Sequence, residues 1–377
     1  MRKLIYLLVL NLVILSVLQG CNADKSTNNI EGKSKILKHA RLFKIKEIDE
    51  HTTLVDLINP WDTTTYLGHF ALVERGHEAA PKTPDYYNQI EVPIKNSVVY
   101  SGLHTALINE LGALESVNGV CDADYITDSA TIQNIRNGKI KDCGRYNAPI
   151  LEKIISLKPE AIILSPYFNS NEDTKYKPLG INVIQAADYM EKTPLARAEW
   201  IKLFGLLYGA SEKADSIYSD IETKYNEIKT TAQNSRTKPT VLFDRIYSGG
   251  WDVPTSGSVT GNLIEDAGGV NPFAKYKNGG SAHLTAEEVL HTAHDADVWL
   301  IRYAGTPLTL KSLAKENDIY SKFKCYKTEN IYIANTLTSQ LFEDGAFHPE
   351  RILLEMFKII HPELNNEPTV YYNKIAR

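Results

Sequence analysis

The chain has 377 residues, of which 43% are apolar, and a formal net charge of -5 at neutral pH. That apolar share supplies full cores for one large or two medium domains, and the mild acidity leaves no basic footprint for nucleic acid. Beyond the N-terminus, no stretch is long and apolar enough to cross a membrane.

The opening "MRK" is a positive cluster, followed by "LIYLLVLNLVILSVL", an apolar run of 15 residues. That is short for a spanning helix and fits an export signal over residues 1–20. The run ends in "LQGC", Leu18 to Cys21, which resembles a bacterial lipobox with Gln19 as a departure. In a lipobox the Cys thiol is acylated and the signal is removed before it. "NADKSTNNIEGKSK" is polar and has no apolar period. Residues 21–36 therefore read as a lipid-anchored tether holding a soluble body at a membrane surface. Cys121, Cys143 and Cys325 remain, too few for a disulfide framework and without zinc spacing. Cys121 and Cys143 fit either a bridge or buried free thiols.

"ARLFKIKEIDEHTTLVDLINPW" alternates apolar and polar residues around the turn "DEHT", which predicts a hairpin, and "LGHFALVERG" adds a strand. These form an extension laid on a first α/β lobe, the two together spanning residues 37–192. In that lobe "NSVVYSGLHTALINELGA", "SVNGVCD", "APILEKIISLKPEAIILSP" and "PLGINVIQAADY" alternate strands with helices, the pattern of a mainly parallel sheet. Residues 193–235 break the rhythm with some 40 residues of helical period. Thr193 is placed as an N-cap with Pro194 in first position. "GAS" divides the segment, with Ser211 capping the second piece, and that piece reads as a strut between lobes. Residues 236–377 resume strand and helix as a second lobe. An ungapped internal repeat marks equivalent places in the lobes: "LEKIISLKPEAIILSP" from Leu151 matches "AEEVLHTAHDADVWLI" from Ala286. The fold class is α/β, with two lobes joined by a long rigid helix and a ligand cleft between them.

In open parallel sheets, ligands bind beyond the carboxyl ends of the strands. The residues following predicted strands are Ser101 and His104, Asp122, Arg145 and Tyr146, Tyr167, Arg245, Tyr247 and Trp251, and Arg302 and Tyr303. Arginine forks bind carboxylate and phosphate through paired bonds, and aromatic faces stack on flat ligands. The expected ligand is bulky, partly flat and anionic. Each residue also has a plainer use. The tyrosines could anchor loops, Arg245 and Arg302 could pair with Asp244 and Asp297, and His104 could cap its helix. Gly249 and Gly250 would let the Trp251 ring face the cleft. "EGKS" and "SGSVTG" lack the glycine spacing of a phosphate loop and a nucleophile elbow. His291 and His294 fit a solvated pair better than a metal site.

The chain resembles the periplasmic substrate-binding lipoproteins of ABC importers for iron complexes, haem and cobalamin. The resemblance covers Glu91 to Leu364 and rests on the order and spacing of "VPIKNSVVYSGLHTALINELGALESVNGV", "APILEKIISLKPEAIIL", "PLGINVIQAADYMEKTPLARAEW", "WDVPTSGSVTGNLIEDAGGVNPF" and "HPERILLEMFKIIHPEL". It implies two lobes that hinge slightly around a ligand, with no catalysis and no resident cofactor. The transported ligand would be a metal chelate, and the partners a membrane permease and an ATPase. It also implies that Glu152 and Glu287, one per lobe, pair with permease arginines; read alone, each is a helix-start acid favouring the dipole. Tyr146 matches a cobalamin-stacking aromatic, but Ser281 stands where the second would be, which weakens the cobalamin reading; ferric siderophore or haem is favoured because the three candidate arginines suit several carboxylates, with cobalamin or another corrinoid second. Trp251 matches an aromatic that commonly lines the cleft. Bare zinc or manganese is disfavoured, since the rim offers one His and one Asp. A lipid-anchored hydrolase and an adhesion lipoprotein are the readings from other classes. The role of the extension before Glu91 is left open.

Overall fold

Five parallel strands make the sheet of the first lobe. The computed structural model describes residues 31–168, 172–277 and 279–377; the export signal and Cys21 lie outside the described residues. Strands β1 (Lys33–Lys35), β2 (Phe43–Glu47), β3 (Thr52–Ile58), β4 (Tyr66–Glu74) and β5 (Asn88–Val92) belong to the extension. The first lobe follows with β6 (Ser97–Val99), β7 (Val117–Val120), β8 (Lys141–Asp142), the small pair β9 (Gly144–Arg145) and β10 (Ala148–Pro149), then β11 (Ala161–Leu164) and β12 (Asn182–Gln185). Its parallel sheet has the order β12-β11-β6-β7-β8. Successive side chains on a strand point to opposite faces. Accordingly, Val99, Ala161 and Ile163 enter one core, while Val98, Ile162 and Leu164 enter another. Both faces are covered by protein, which is why these strands read as unbroken apolar runs.

The second lobe contains β13 (Val241–Phe243), the antiparallel pair β14 (Trp251–Pro254) and β15 (Ser281–Leu284), β16 (Val298–Tyr303), β17 (Ile331–Asn335) and β18 (Asn373–Lys374). Its sheet has the order β13-β16-β17-β18, parallel except for the edge strand β18. The internal repeat maps onto helix Leu151–Leu157 leading to β11 and helix Ala286–Ala293 leading to β16. Both strands are flanked on each side by a parallel neighbour. The aligned Ile154 and Val289 are both fully buried, so the repeat is set by equal packing in the two sheets.

Between the lobes run helices Pro194–Ala198, Ile201–Leu207 and Ser211–Gln233. The Thr193 side chain caps the first through Ala196 N–H, with Pro194 in first position, as the sequence predicts. At the third, Ala210 takes the N-cap position and Ser211 is already helical, after Gly209 turns the chain at φ 67°. The last helix spans roughly 34 Å. Its buried Ala214, Tyr218, Ile221 and Tyr225 form one stripe, and it packs against helix Ile201–Leu207 and against helix Pro349–Ile360 of the second lobe.

The extension is an antiparallel sheet, β1-β2-β3-β4, with β5 added in parallel. The predicted hairpin is β2–β3 and the added strand is β4. Lys33–Lys35, read as the end of the tether over residues 21–36, pairs with β2, and residues 21–30 lie outside the described residues. Two buried carboxylates fasten the extension to the interlobe helices. Glu199 accepts the backbone N–H groups of Lys38, His39 and Ala40 at 3.0, 2.8 and 2.9 Å. Glu191 accepts those of Arg41 and Leu42, both at 2.9 Å, and Trp200 Nε1–H. Phe43 packs on Trp200 with ring centres 4.8 Å apart.

Candidate functional site

Two adjoining cavities, of about 540 and 610 Å³, open at the carboxyl ends of the second lobe's strands, and the first of them also reaches residues that follow the first lobe's sheet. Both are in the size range of small-molecule sites. They share Phe243, Pro254, Thr260, Ser281, Arg302 and Phe342. Tyr189 and Arg197, which follow β12 in the chain, close the first cavity from the other side, and Pro60, just after β3, adds the extension to its wall. The extension thus contributes directly to the cleft.

Arg302, at the end of β16, occupies the junction of the two cavities. Asp244 follows β13 in left-handed backbone, at φ 53°, and its carboxylate accepts Arg302 backbone N–H, Nε (3.1 Å) and Nη2 (2.5 Å). The guanidinium lies 4.8 Å from the centre of the Phe243 ring and 5.7 Å from that of Phe342. The fork to Asp244 uses Nε and Nη2, and the guanidinium carbon lies beside both aromatic rings. Arg197 is held by Asp188 at 3.1 Å, and Asp188 in turn by His104 Nε2 at 2.8 Å. Burial alone would raise the Asp188 carboxyl; the charges of His104 and Arg197 outweigh that and hold it below the ordinary carboxylate value. Arg245 pairs with Glu316 and lines the second cavity with Tyr247 and Tyr303.

Three arginines therefore face the cleft, each anchored by one carboxylate. A guanidinium has five N–H donors, so anchoring orients the group and leaves donors for a ligand. The aromatic walls supply apolar area at little entropic cost. The side-chain chemistry suits a flat or bulky ligand carrying acceptor oxygens.

The structure brings together Arg245, Tyr247, Arg302 and Tyr303 of the sequence-predicted site. It moves Trp251 elsewhere. Its ring is fully buried, stacked on Trp299 at 5.8 Å, edge-on to Tyr320 and Phe323, and its Nε1–H donates to Phe243 O. The tight turn Tyr247–Gly250 swings β14 so that Trp251 points into the lobe core, where four aromatic rings exclude water. Tyr247 is the exposed ring of this turn. His104 is also corrected: it is buried and lines neither cavity, and it acts on the cleft only through Asp188 and Arg197. Arg145 is exposed and bound to Asp124 at 2.8 Å, above the Tyr125 ring. Tyr146 donates to Ser165 O and sits 6.5 Å from Tyr167. These three line neither cavity.

Sequence reasoning missed Tyr189, Arg197 and Phe342. All three lie on helices or turns some residues past a strand end, beyond a search restricted to the next few positions. "TPLARAEW" did carry a signal, an arginine one turn after a capped helix start. Glu152 and Glu287 are exposed at the first turns of their helices. Cys121 and Cys143 are buried free thiols, and burial pushes Cys143 up to about 11. His291 and His294 are exposed, the latter beside Asp295.

A family model described as "Periplasmic binding protein" matches residues 98–336. An uncharacterized lipoprotein of Methanocaldococcus jannaschii is 26% identical, over 96% of this chain and 94% of its own length. Among solved structures, a periplasmic binding protein from Veillonella parvula aligns with TM-score 0.62 and 15% identity, covering 82% of this chain and 98% of its own. A periplasmic haem-binding protein from Pseudomonas aeruginosa aligns with TM-score 0.58 and 16% identity, covering 75% and 98%. At these identities the structural likeness carries the fold: two α/β lobes around a cleft.

Proposed function

This chain belongs to the periplasmic binding protein family, and on that premise we propose that its cleft captures an anionic metal chelate, a ferric siderophore or haem, for delivery to the permease and ATPase of an ABC importer. The observation that carries this reading is Arg302, fixed by Asp244 between Phe243 and Phe342, with Arg197 and Arg245 on the same cleft. The haem-binding neighbour supports a chelate of this kind. The metal arrives and leaves inside its ligand as cargo. The lipoprotein relative supports a lipid anchor on Cys21, and among the described residues no helix is long and apolar enough to cross a membrane.

The test is thermal shift with haem, a panel of ferric siderophores, and cobalamin. One iron chelate should raise the melting temperature clearly, and Arg302→Ala should weaken its binding by about tenfold or more, as for a charged hydrogen bond of about 1.5–3 kcal/mol. A shift with cobalamin alone would move the assignment to a corrinoid, and no shift with any of them would remove the chelate reading.

Docking is proposed for Glu152 and Glu287. Exposed ion pairs are each worth about 0–1 kcal/mol, so two of them set register and encounter rate more than affinity. Glu152→Ala with Glu287→Ala should abolish uptake in cells and leave chelate affinity unchanged. A fall in affinity would instead place these residues in ligand binding.

A further inference from the structure

We infer that the extension carries a binding site for a borderline divalent cation of the zinc and nickel class, formed by His51, Glu74 and His77. One donor atom from each of these residues lies within 4.8 Å of the other two. His51 Nδ1 is 2.6 Å from Glu74 Oε2, and His77 Nδ1 is 3.9 Å from the same oxygen. The two imidazoles are stacked, with centres 3.5 Å apart and planes within 13°. Both Nδ1 atoms thus face one carboxylate oxygen.

The backbone builds this arrangement. β3 and β4 are antiparallel, and Glu74 N–H donates to His51 O at 2.9 Å, which sets the two residues side by side. His77 N–H then donates to Glu74 O at 3.1 Å, closing a turn with Gly76 at φ 87°. A positive φ at the third turn position favours glycine, and the turn folds His77 back over His51. Asp49 accepts His51 N–H at 3.0 Å and fixes the other approach. Local chain geometry therefore brings three residues from two strand ends to one point.

The donor set selects the ion. Two imidazole nitrogens and one carboxylate suit zinc, nickel and copper, whereas calcium and magnesium prefer oxygen alone. Metal–ligand bonds of about 2.0–2.1 Å at tetrahedral angles separate donors by about 3.4 Å. The 2.6 Å contact would open, and the 3.9 Å contact close, by less than about 1 Å each. Histidines that bind metals commonly present their second nitrogen to a carboxylate. Here Glu50 Oε1 lies 3.4 Å from His51 Nε2. All three donor side chains are partly exposed, so an ion can enter and water can complete its coordination.

This site is separate from the cleft. Pro60, which touches the cleft, follows the far end of β3, and seven residues of strand put His51 roughly 20 Å away. The ion is not the proposed cargo. It would clip the start of β3 to the turn after β4.

Calorimetric titration of the detergent-solubilised full chain with zinc chloride and nickel chloride tests the site, with cobalt absorption as a second readout. One equivalent should bind, with the absorption of nitrogen-ligated cobalt. His51→Ala with His77→Ala should weaken binding by about tenfold or more, with circular dichroism unchanged. His77→Gln, at an exposed turn, is the milder variant and should weaken it too. Arg302→Ala should leave metal binding intact, so failure of the cleft reading and failure of this one are told apart. Equal metal binding by wild type and the double variant, or none by wild type, would overturn the inference.

Discussion

Glu199→Ala is expected to lower the unfolding free energy by about 3–5 kcal/mol. The carboxylate is fully buried and accepts three successive backbone N–H groups, from Lys38, His39 and Ala40, together with Lys202 Nζ at 3.0 Å. Removing it strands those donors between the extension and the interlobe helix, where each unsatisfied group costs about 1–3 kcal/mol. Burial alone would raise this carboxyl's pKa; the hydrogen bonds from Ala40, His39, Lys202 and Lys38 outweigh that and hold it below its ordinary value. A depressed carboxyl stabilises the fold above its unfolded pKa and loses that contribution as pH falls through the folded value. The same variant should therefore be less sensitive to acid than wild type. Urea unfolding at neutral and acidic pH measures both effects. A loss below about 1 kcal/mol would mean that water replaces the carboxylate and that the extension is fastened elsewhere.

Stability should also fall as pH rises from about 6.5 to about 9, by up to about 3 kcal/mol, through His348. This residue is buried where the lobes meet. Its Nε2 lies 2.8 Å from Glu110 of the first lobe and its Nδ1 3.1 Å from Glu350 of the second. Burial alone would lower its pKa; the two carboxylates outweigh that and push it up to about 9. For a base with a raised folded pKa, the contribution is complete below the unfolded pKa and is lost as pH passes through the folded one. His348→Gln should remove this alkaline slope, seen as a melting temperature that no longer falls between those pH values. A wild-type melting temperature that is flat over the same range would show that the imidazole is neutral in the folded protein.

Much of the architecture was legible because it rests on local pattern. The alternation in "FKIKEIDEHTTLVDLI" placed the β2–β3 hairpin, and the unbroken apolar runs "SVV" and "AIIL" placed strands covered on both faces. Thr193 and Pro194 marked the start of the interlobe helices. The candidate site was legible where a strand end puts a residue directly on the cleft, as for Arg302 and Arg245. It was not legible where direction depends on packing. Trp251 follows two glycines and looked free to face a ligand. Its ring gains more by joining Trp299, Tyr320 and Phe323, and nothing within seven residues of it discloses those partners.

Periodicity, caps and turns act over a few residues, and they set the α/β class, the repeat behind the two lobes and the residues at strand ends. Tertiary structure alone decided which side chains share the cleft. Arg197 is held at the cleft by Asp188, itself held by His104, and Pro60 comes there with the extension that Glu199 and Glu191 help to fasten. His51 and Glu74 likewise meet through strand pairing. Such contacts join residues far apart in the chain, and their energy depends on burial and charge pairing that no local pattern carries.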